Sequence, residues 1–187
     1  MHTTTNLLIR LREPTTQSEA WREFAQLFAP EILSHARRHG FQPTDAEDVA
    51  QTILAKIPEL LGEYTHRSGR EFRGWLFRIT ANECLKRRRQ SRRITGAVDI
   101  DIPDTPETPA FVRAEETEYL QRLVTRAITI IRPDFSDATL AAFTAVAIHG
   151  RRAAEVASEL GITVSAVHMA RFRVLSRLRE VVGGLLD

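Results

Sequence analysis

The stretch RAAEVASELGITVSAVHMARFRVLSRLRE, residues 152–180, decides the fold of the C-terminal half. Two segments with helical apolar spacing meet there at Gly161, and the small residue Ala157 lies four positions earlier, where two helices would cross. Thr163 is placed to cap the second helix. The inward positions on both sides are apolar: Val156, Leu160, Ile162, Val167 and Ala170. Together these features predict a helix-turn-helix unit.

The second helix of this unit would expose a face that suits a DNA groove. Thr163 at its start leaves the helix N-terminus free to point at the groove, and the polar and apolar side chains that follow are Ser165, His168, Met169 and Phe172. Arginines that can meet phosphates follow on the same helix: Arg171, Arg173, Arg177 and Arg179. An ordinary helical hairpin with a solvated basic face is the alternative. The combined spacing of Ala157, Gly161 and Val167 favours DNA binding.

Charge is distributed unevenly along the rest of the chain, although the net charge of the 187 residues is only +2. Residues 86–93 read KRRRQSRR, with six basic residues of eight. The next stretch, 94–112, has no Lys or Arg, carries four acidic residues, and has prolines at 103, 106 and 109. Such a segment is typical of a linker. We therefore predict an N-terminal domain at 1–94, a linker at 95–112 and a C-terminal domain at 113–187.

Both halves are predicted to be helical, so the fold class is all-α with two small helical domains. Trp21, Phe24 and Phe28 recur at helical spacing. Thr44 with Glu47 three residues later predicts a capping box at the start of the next helix, and Pro58 and Gly62 predict its end. A long helix is expected from about Arg70 into the basic run, with Phe72 and Trp75 facing inward. The only cysteine, Cys84, is expected to be packed.

Three motifs now stand in a fixed order: DAEDVAQTILAKI (45–57), FRGWLFRITANECLKRRR (72–89) and the C-terminal helix-turn-helix. Their order and spacing resemble the extracytoplasmic-function type of sigma factor, over most of the chain from about Trp21 to Glu180. The resemblance implies a region 2 domain that opens promoter DNA and a region 4 domain that reads an upstream element. The acidic linker lies where that family has one.

The resemblance also implies a contact with RNA polymerase. The helix matching 45–60 would dock on the β′ clamp through an acidic start, and its residues are Asp45, Glu47, Asp48, Gln51 and Thr52. The same acids also complement the positive end of a helix. Thr52 stands where the family often has another acid. The missing acid would weaken the clamp contact, or phosphorylation of Thr52 would restore the negative charge. A plain solvent-facing threonine is the favoured interpretation.

A second implied site would capture bases of the minus-ten element, since opened DNA re-anneals unless its bases are held. We predict that Tyr64, Arg67, Ser68 and Arg70 form the pocket and that Asn82 offers its amide to a base. The basic run would follow the phosphate backbone with Lys86, Arg87, Arg88, Arg89, Arg92 and Arg93. In the C-terminal half the minus-thirty-five residues are Thr163, Ser165, His168, Met169, Arg171, Phe172, Arg173 and Arg177.

No nucleophile motif, phosphate-binding glycine loop or pair of catalytic carboxylates occurs, so we expect no enzyme, no cofactor and no metal, His35 and His39 included. The expected partners are promoter DNA and core RNA polymerase, through its β′ clamp and β flap, and an anti-sigma factor of the kind that restrains many members of this family. We expect a cytoplasmic protein without membrane insertion, monomeric when free. The alternatives are a stand-alone helix-turn-helix repressor or activator, a nucleic-acid-processing enzyme, and a structural adaptor.

Overall fold

The computed structural model describes residues 7–64, 69–95, 109–183 and 185. These residues form helices and short connections without a strand, which confirms the all-α class. The α-helices are α1 (Leu7–Arg10), α2 (Gln17–Arg38), α3 (Pro43–Glu63), α4 (Gly69–Thr95), α5 (Pro109–Ile131), α6 (Asp137–Phe143), α7 (Ala153–Leu160) and α8 (Val164–Val182). A 3-10 turn, Arg132–Asp134, precedes α6, and a π-helical turn, Thr144–Ile148, follows it.

Aromatic side chains at helical spacing build the N-terminal half. Phe24 and Phe28 of α2 have no exposed surface, and their rings lie 4.7 Å apart between centroids. Phe72 of α4 meets both, edge-on, at 6.2 and 5.2 Å. Burial of rings of this size is the largest apolar contribution that single residues can make to such a bundle. Helix α3 closes the bundle with Val49, Ile53 and Ile57 inward.

Several predicted helix ends differ from those in the structure. The Thr44 cap is wrong, because α3 already begins at Pro43 with Gln42 as its N-cap. A proline suits the first helical position, since it has no N–H to satisfy and its φ is preset. Helix α3 also continues through Pro58 to Glu63. Helix α5 begins at Pro109, so its first turn lies within the segment that the sequence assigns to the linker.

The C-terminal half contains the predicted pair of helices around Gly161. This glycine has a φ of +65°, a left-handed conformation that ends α7 at low steric cost. The hydroxyl of Thr163 accepts a hydrogen bond of 3.1 Å from the N–H of Ala166, which confirms the predicted cap of α8. The pair is held to α6 by a small apolar cluster of its own: Ala142, Val156, Ala157, Val167 and Ala170.

The two halves also share the main hydrophobic cluster. Helix α5 packs on α2, and α1 contacts α8. Leu123 and Ala127 of α5, and Val174 and Val181 of α8, are fully buried in the same cluster as Phe24 and the other core residues of α2. The described C-terminal half therefore packs directly against the N-terminal half.

Two buried carboxylates of α2 lie at this contact. Glu23 is 4% exposed, and its two oxygens accept hydrogen bonds from Arg10 of α1 at 2.6 Å and Arg177 of α8 at 2.5 Å. Glu31, 2% exposed, accepts from Arg122 at 3.1 Å and Arg126 at 2.9 Å, both on α5. A buried charge is tolerated only when it is paired in this way.

The pairing of Glu31 has a consequence for its ionisation. Burial opposes the charged form, but the hydrogen bonds and charges of Arg122 and Arg126 outweigh it and hold the pKa of Glu31 below its ordinary value of 4.5. A lowered folded-state pKa means that Glu31 stabilises the fold above pH 4.5 and loses this contribution as the pH falls through the folded value.

We predict that Glu31→Gln lowers the free energy of unfolding by about 2 kcal/mol at pH 7, less than for a fully buried pair because both arginines are partly exposed. Urea denaturation followed by circular dichroism measures this difference. It should shrink below about pH 4.5, where the wild-type carboxylate takes up a proton. The control is Glu118→Gln, since Glu118 also meets Arg122 but its side chain is 71% exposed. An equal loss of stability in both variants would contradict the stabilising role of the buried Glu31 carboxylate.

Cys84 is packed in α4, 1% exposed, as the sequence predicts. Burial raises the pKa of its thiol from 9.0 to about 11. At pH 8 the thiolate fraction is therefore about 100-fold smaller than for an ordinary thiol, and the thiolate is the species that reacts. We expect Ellman's reagent to modify the folded protein at least about 100-fold more slowly than the protein unfolded in urea. Equal rates would contradict the packing.

Candidate nucleic-acid interface

The first turns of α3 carry an acidic face. Asp45, Glu47, Asp48 and Gln51 are all exposed there. Thr52 lies at the border of this face, half-buried, and its hydroxyl donates a hydrogen bond of 2.8 Å to the carbonyl of Asp48. Four of these five predicted residues thus share one accessible surface, on which charges remain available to a basic partner.

The acidic face is joined to the basic run of α4 by Arg87. Its guanidinium donates to the hydroxyl of Thr52 at 2.7 Å and to the carbonyl of Asp48 at 3.0 Å. Next to it, Lys56 of α3 pairs with Glu83 of α4 at 2.6 Å. Arg87 was predicted to contact DNA, but in this structure its side chain contacts α3. The sequence of a basic run does not show which of its side chains turn inward.

An aromatic cluster, which we call the Tyr64–Trp75 cluster, lies at the junction of α3 and α4. The ring of Tyr64 lies 4.7 Å from that of Trp75 and 5.7 Å from that of Phe72, between centroids. Tyr64 and Trp75 are half-buried, whereas Phe72 is buried. Of the other predicted pocket residues, Arg67 and Ser68 lie outside the described residues. Arg70 is in the first turn of α4, and its side chain is likewise not described.

One face of α4 leads away from this cluster. Asn82, Lys86 and Arg89 are exposed at positions i, i+4 and i+7, so they follow one another along the helix. Sequence reasoning missed two exposed residues on the same face, Arg78 and Leu85, the latter 47% exposed. We call these five residues, Arg78, Asn82, Leu85, Lys86 and Arg89, the α4 stripe. From Arg78 to Arg89 it is about 16 Å long at 1.5 Å per residue.

The basic run also contains residues that we do not assign to the stripe. Arg88 is half-buried, donates a hydrogen bond to the carbonyl of His39 and lies over the ring of Phe41 at 5.7 Å. Arg92 and Arg93 belong to the last turns of α4, and their side chains lie outside the described residues. Among the described side chains of the run, Lys86 and Arg89 are therefore the basic ones that the stripe exposes.

The exposed face of α8 contains most of the residues predicted for the upstream element. Met169 and Phe172 are 52% and 62% exposed, unusually high for large apolar side chains. The polar and charged residues of the same helix that are exposed are Ser165, His168, Arg171, Arg173 and, nearer its C-terminal end, Arg179. Val164, at the start of α8, is also 42% exposed and is not among the residues predicted from the sequence. Arg177 is different, because it pairs with Glu23 and, at 2.8 Å, with Asp134.

His35 and His39 contact each other directly, with 3.2 Å between their Nε2 atoms. The ring of His35 also stacks on Phe77 at 4.6 Å. Burial, reinforced by the charges of His39, Arg38 and Arg73, lowers the pKa of His35 to about 4, so the His35 ring is neutral at pH 7. Among the described residues no group of three or more His, Cys, Asp and Glu side chains could hold a metal ion.

Comparison with known proteins bears on the part that contains the acidic face and the α4 stripe. No described helix is long and apolar enough to cross a bilayer. A search of curated proteins found no match. Residues 24–94, however, match the family model of sigma-70 region 2, and they span α2 from Phe24, all of α3, and α4 almost to its end. This match supports a role in transcription initiation, with binding to core RNA polymerase and promoter DNA, as a sigma factor of the sigma-70 family.

Proposed function

We propose that this protein is a sigma factor of the extracytoplasmic-function type, which recruits core RNA polymerase to promoters, opens the minus-ten element and reads the minus-thirty-five element. The observation that carries the proposal is the match of residues 24–94 to sigma-70 region 2, within which an acidic face and a basic stripe are both exposed. The protein acts by binding, without catalysis of its own, in the cytoplasm and as a monomer before it joins the polymerase.

The acidic face of α3 is the proposed contact with the β′ clamp. Asp45 and Glu47 support this assignment most directly, because they are exposed and form no ion pair with the residues that the structure describes. Asp48 is 60% exposed and lies 3.9 Å from Arg87, so part of its charge is already balanced. Exposed charges of this kind orient the partner and speed association more than they add affinity.

The Tyr64–Trp75 cluster and the α4 stripe are proposed to act together on the minus-ten element. Aromatic rings offer stacking surfaces worth about 1–3 kcal/mol per base, which compensates for part of the cost of unpairing. Lys86 and Arg89 would hold phosphates beside the opened bases, and Asn82 would meet a base edge. A stripe of about 16 Å matches roughly five base pairs at 3.4 Å each.

The exposed face of α8 is the proposed reader of the minus-thirty-five element. It has polar atoms for base edges at Ser165 and His168, apolar surface for thymine methyl groups at Met169 and Phe172, and arginines for phosphates. The N-terminus of α8, capped by Thr163, would enter the major groove, as the second helix of a helix-turn-helix does.

The proposal includes a contact of the C-terminal half with the β flap. A groove of about 360 Å³ between α5, the π-helical turn and α8 supports it, lined mainly by apolar residues: Val124, Ile128, Phe143, Ala147, Ile148, Leu175, Leu178, Arg179, Val182 and Gly183. Ile148 is 55% exposed at its edge. An apolar groove with an exposed apolar side chain at its edge is a feature of protein-binding sites. An anti-sigma factor would compete for these surfaces.

Simultaneous reading of both elements requires the two halves to separate. The elements are centred about 25 base pairs apart, which is about 85 Å at 3.4 Å per base pair. A compact chain of this length has a radius of gyration of about 16 Å, equivalent to a sphere about 41 Å across. Packed together, the halves cannot span that distance. We therefore propose that the described packing belongs to the free protein and opens on the polymerase.

The clamp contact is tested by core-polymerase binding. We expect the double variant Asp45→Asn/Glu47→Gln to bind core about tenfold more weakly, because two exposed charges that face the basic partner are removed. Fluorescence anisotropy of the labelled protein measures the affinity, and Glu59→Gln, exposed near the other end of α3, is the control. Wild-type protein that ignores core but binds duplex DNA would instead support a stand-alone repressor or activator.

The opening is tested by energy transfer between dyes on Ser34→Cys in α2 and Ser158→Cys in α7, both exposed sites. Because Cys84 is buried, the dyes attach to the new cysteines. Transfer should be high in the free protein and fall when core polymerase and promoter DNA are added. A pair within the N-terminal half, Ser34→Cys with Glu59→Cys, should not change. Unchanged transfer in the first pair on a bound promoter would contradict the opening.

A further inference from the structure

The last turn of α3 is held by an arginine from the far N-terminal part of the chain. Arg12 lies between α1 and α2, and its Nη2 donates to the carbonyl of Leu61 at 2.7 Å and to that of Tyr64 at 2.5 Å. Carbonyls at a helix C-terminus have no partner within the helix, and they carry the negative end of its dipole. A guanidinium is therefore well suited to this place.

The contact with Tyr64 reaches beyond the helix end. Helix α3 ends at Glu63, and Tyr64 has an extended backbone, with φ −77° and ψ 120°. By binding one carbonyl inside the helix and one after it, Arg12 fixes the direction in which the chain leaves α3. The Tyr64 ring, which touches Trp75 and Phe72, is thereby set relative to α4.

Arg12 itself extends from a well-anchored segment. Leu7, Leu8 and Leu11 are buried in the main cluster. The adjacent Arg10 pairs with buried Glu23, and the hydroxyl of Thr16 donates to the carbonyl of Arg10 at 3.0 Å. Arg12 therefore extends from a fixed point of the helix bundle, and its hydrogen bonds restrain the end of α3 relative to that point.

Apolar packing between this segment and α3 is incomplete. A cavity of about 550 Å³ lies between them, lined by Leu11, Arg12, Pro14, Gln17, Ser18, Trp21, Pro58, Leu61 and Gly62. Where side chains do not fill the space, dispersion contacts are lost, and a directional hydrogen bond carries more of the positional restraint.

We infer that Arg12 is a positioning residue for promoter opening: it holds Tyr64 in place for the capture of unpaired bases. The inference rests on the proposed function of Tyr64. Arg12 lies outside residues 24–94, the part that matches sigma-70 region 2, so the matched domain alone would lack this support. Arg12 acts on the opening step and leaves the binding of core polymerase and closed promoter DNA unchanged.

The test compares Arg12→Ala, Arg12→Lys and Arg22→Ala, the last removing an exposed arginine of α2. Stopped-flow fluorescence of 2-aminopurine in the minus-ten element measures opening by the reconstituted holoenzyme. We expect Arg12→Ala to open about tenfold more slowly, equivalent to the loss of about 1.4 kcal/mol, with unchanged affinity for the closed promoter. Arg12→Lys, which keeps donors and charge, should recover most of the rate, and Arg22→Ala should match wild type.

Hydrogen exchange of the amides at the end of α3 gives a second measurement without polymerase. Arg12→Ala should raise their exchange rate about tenfold, and the two other variants should not. Unchanged exchange and opening in Arg12→Ala would overturn the inference, as would a parallel loss of closed-promoter affinity. If wild-type protein opens no promoter while exchange responds as expected, the proposed function fails and the structural role of Arg12 stands.

Discussion

Two carboxylates on α2 determine how the halves of this molecule sit together. Glu23 and Glu31 are buried, eight residues apart on one face of the helix, and arginines from α8 and α5 reach them across the contact. Apolar packing alone would allow the halves to slide, since it is not directional. Paired charges in a poorly solvated setting specify one arrangement, and leaving either carboxylate unpaired is costly. The same arrangement positions the exposed faces of α3, α4 and α8.

A second polar connection ties the two proposed binding surfaces of the N-terminal half to each other. Arg87 belongs to the basic run, yet it contacts Asp48 and Thr52 on the acidic side. These hydrogen bonds go to the backbone carbonyl of Asp48 and the hydroxyl of Thr52, so Arg87 joins α4 to the start of α3 and leaves the Asp48 carboxylate largely exposed.

Much of this structure is readable from the sequence, for identifiable reasons. Gly161 and Thr163 act through their own backbone and the next turn, so local chemistry suffices to predict the end of α7 and the start of α8. The aromatic core follows from helical spacing. The early start of α3 was missed because Pro43 outweighs the Thr44 capping box.

Other features depend on contacts between residues far apart in the chain. Arg177 was predicted to meet phosphate, but its partner Glu23 is 154 residues away. Arg12 and Leu61 are 49 residues apart. The sequence shows that an arginine requires an anion or a carbonyl as its partner. It does not show which of these groups the fold brings close to that arginine. The exposure of Arg78 and Leu85 likewise depends on how α4 is rotated in the bundle.

As a sigma factor, this protein would direct polymerase to promoters and open them. The decisive measurement is transcription in vitro from fragmented genomic DNA with purified core polymerase and this protein, combined with permanganate mapping of the unpaired thymines. We expect transcripts from a defined set of start sites, each with reactive thymines about ten base pairs upstream. Transcription no different from that of core polymerase alone, with no thymine made reactive, would contradict the proposed function.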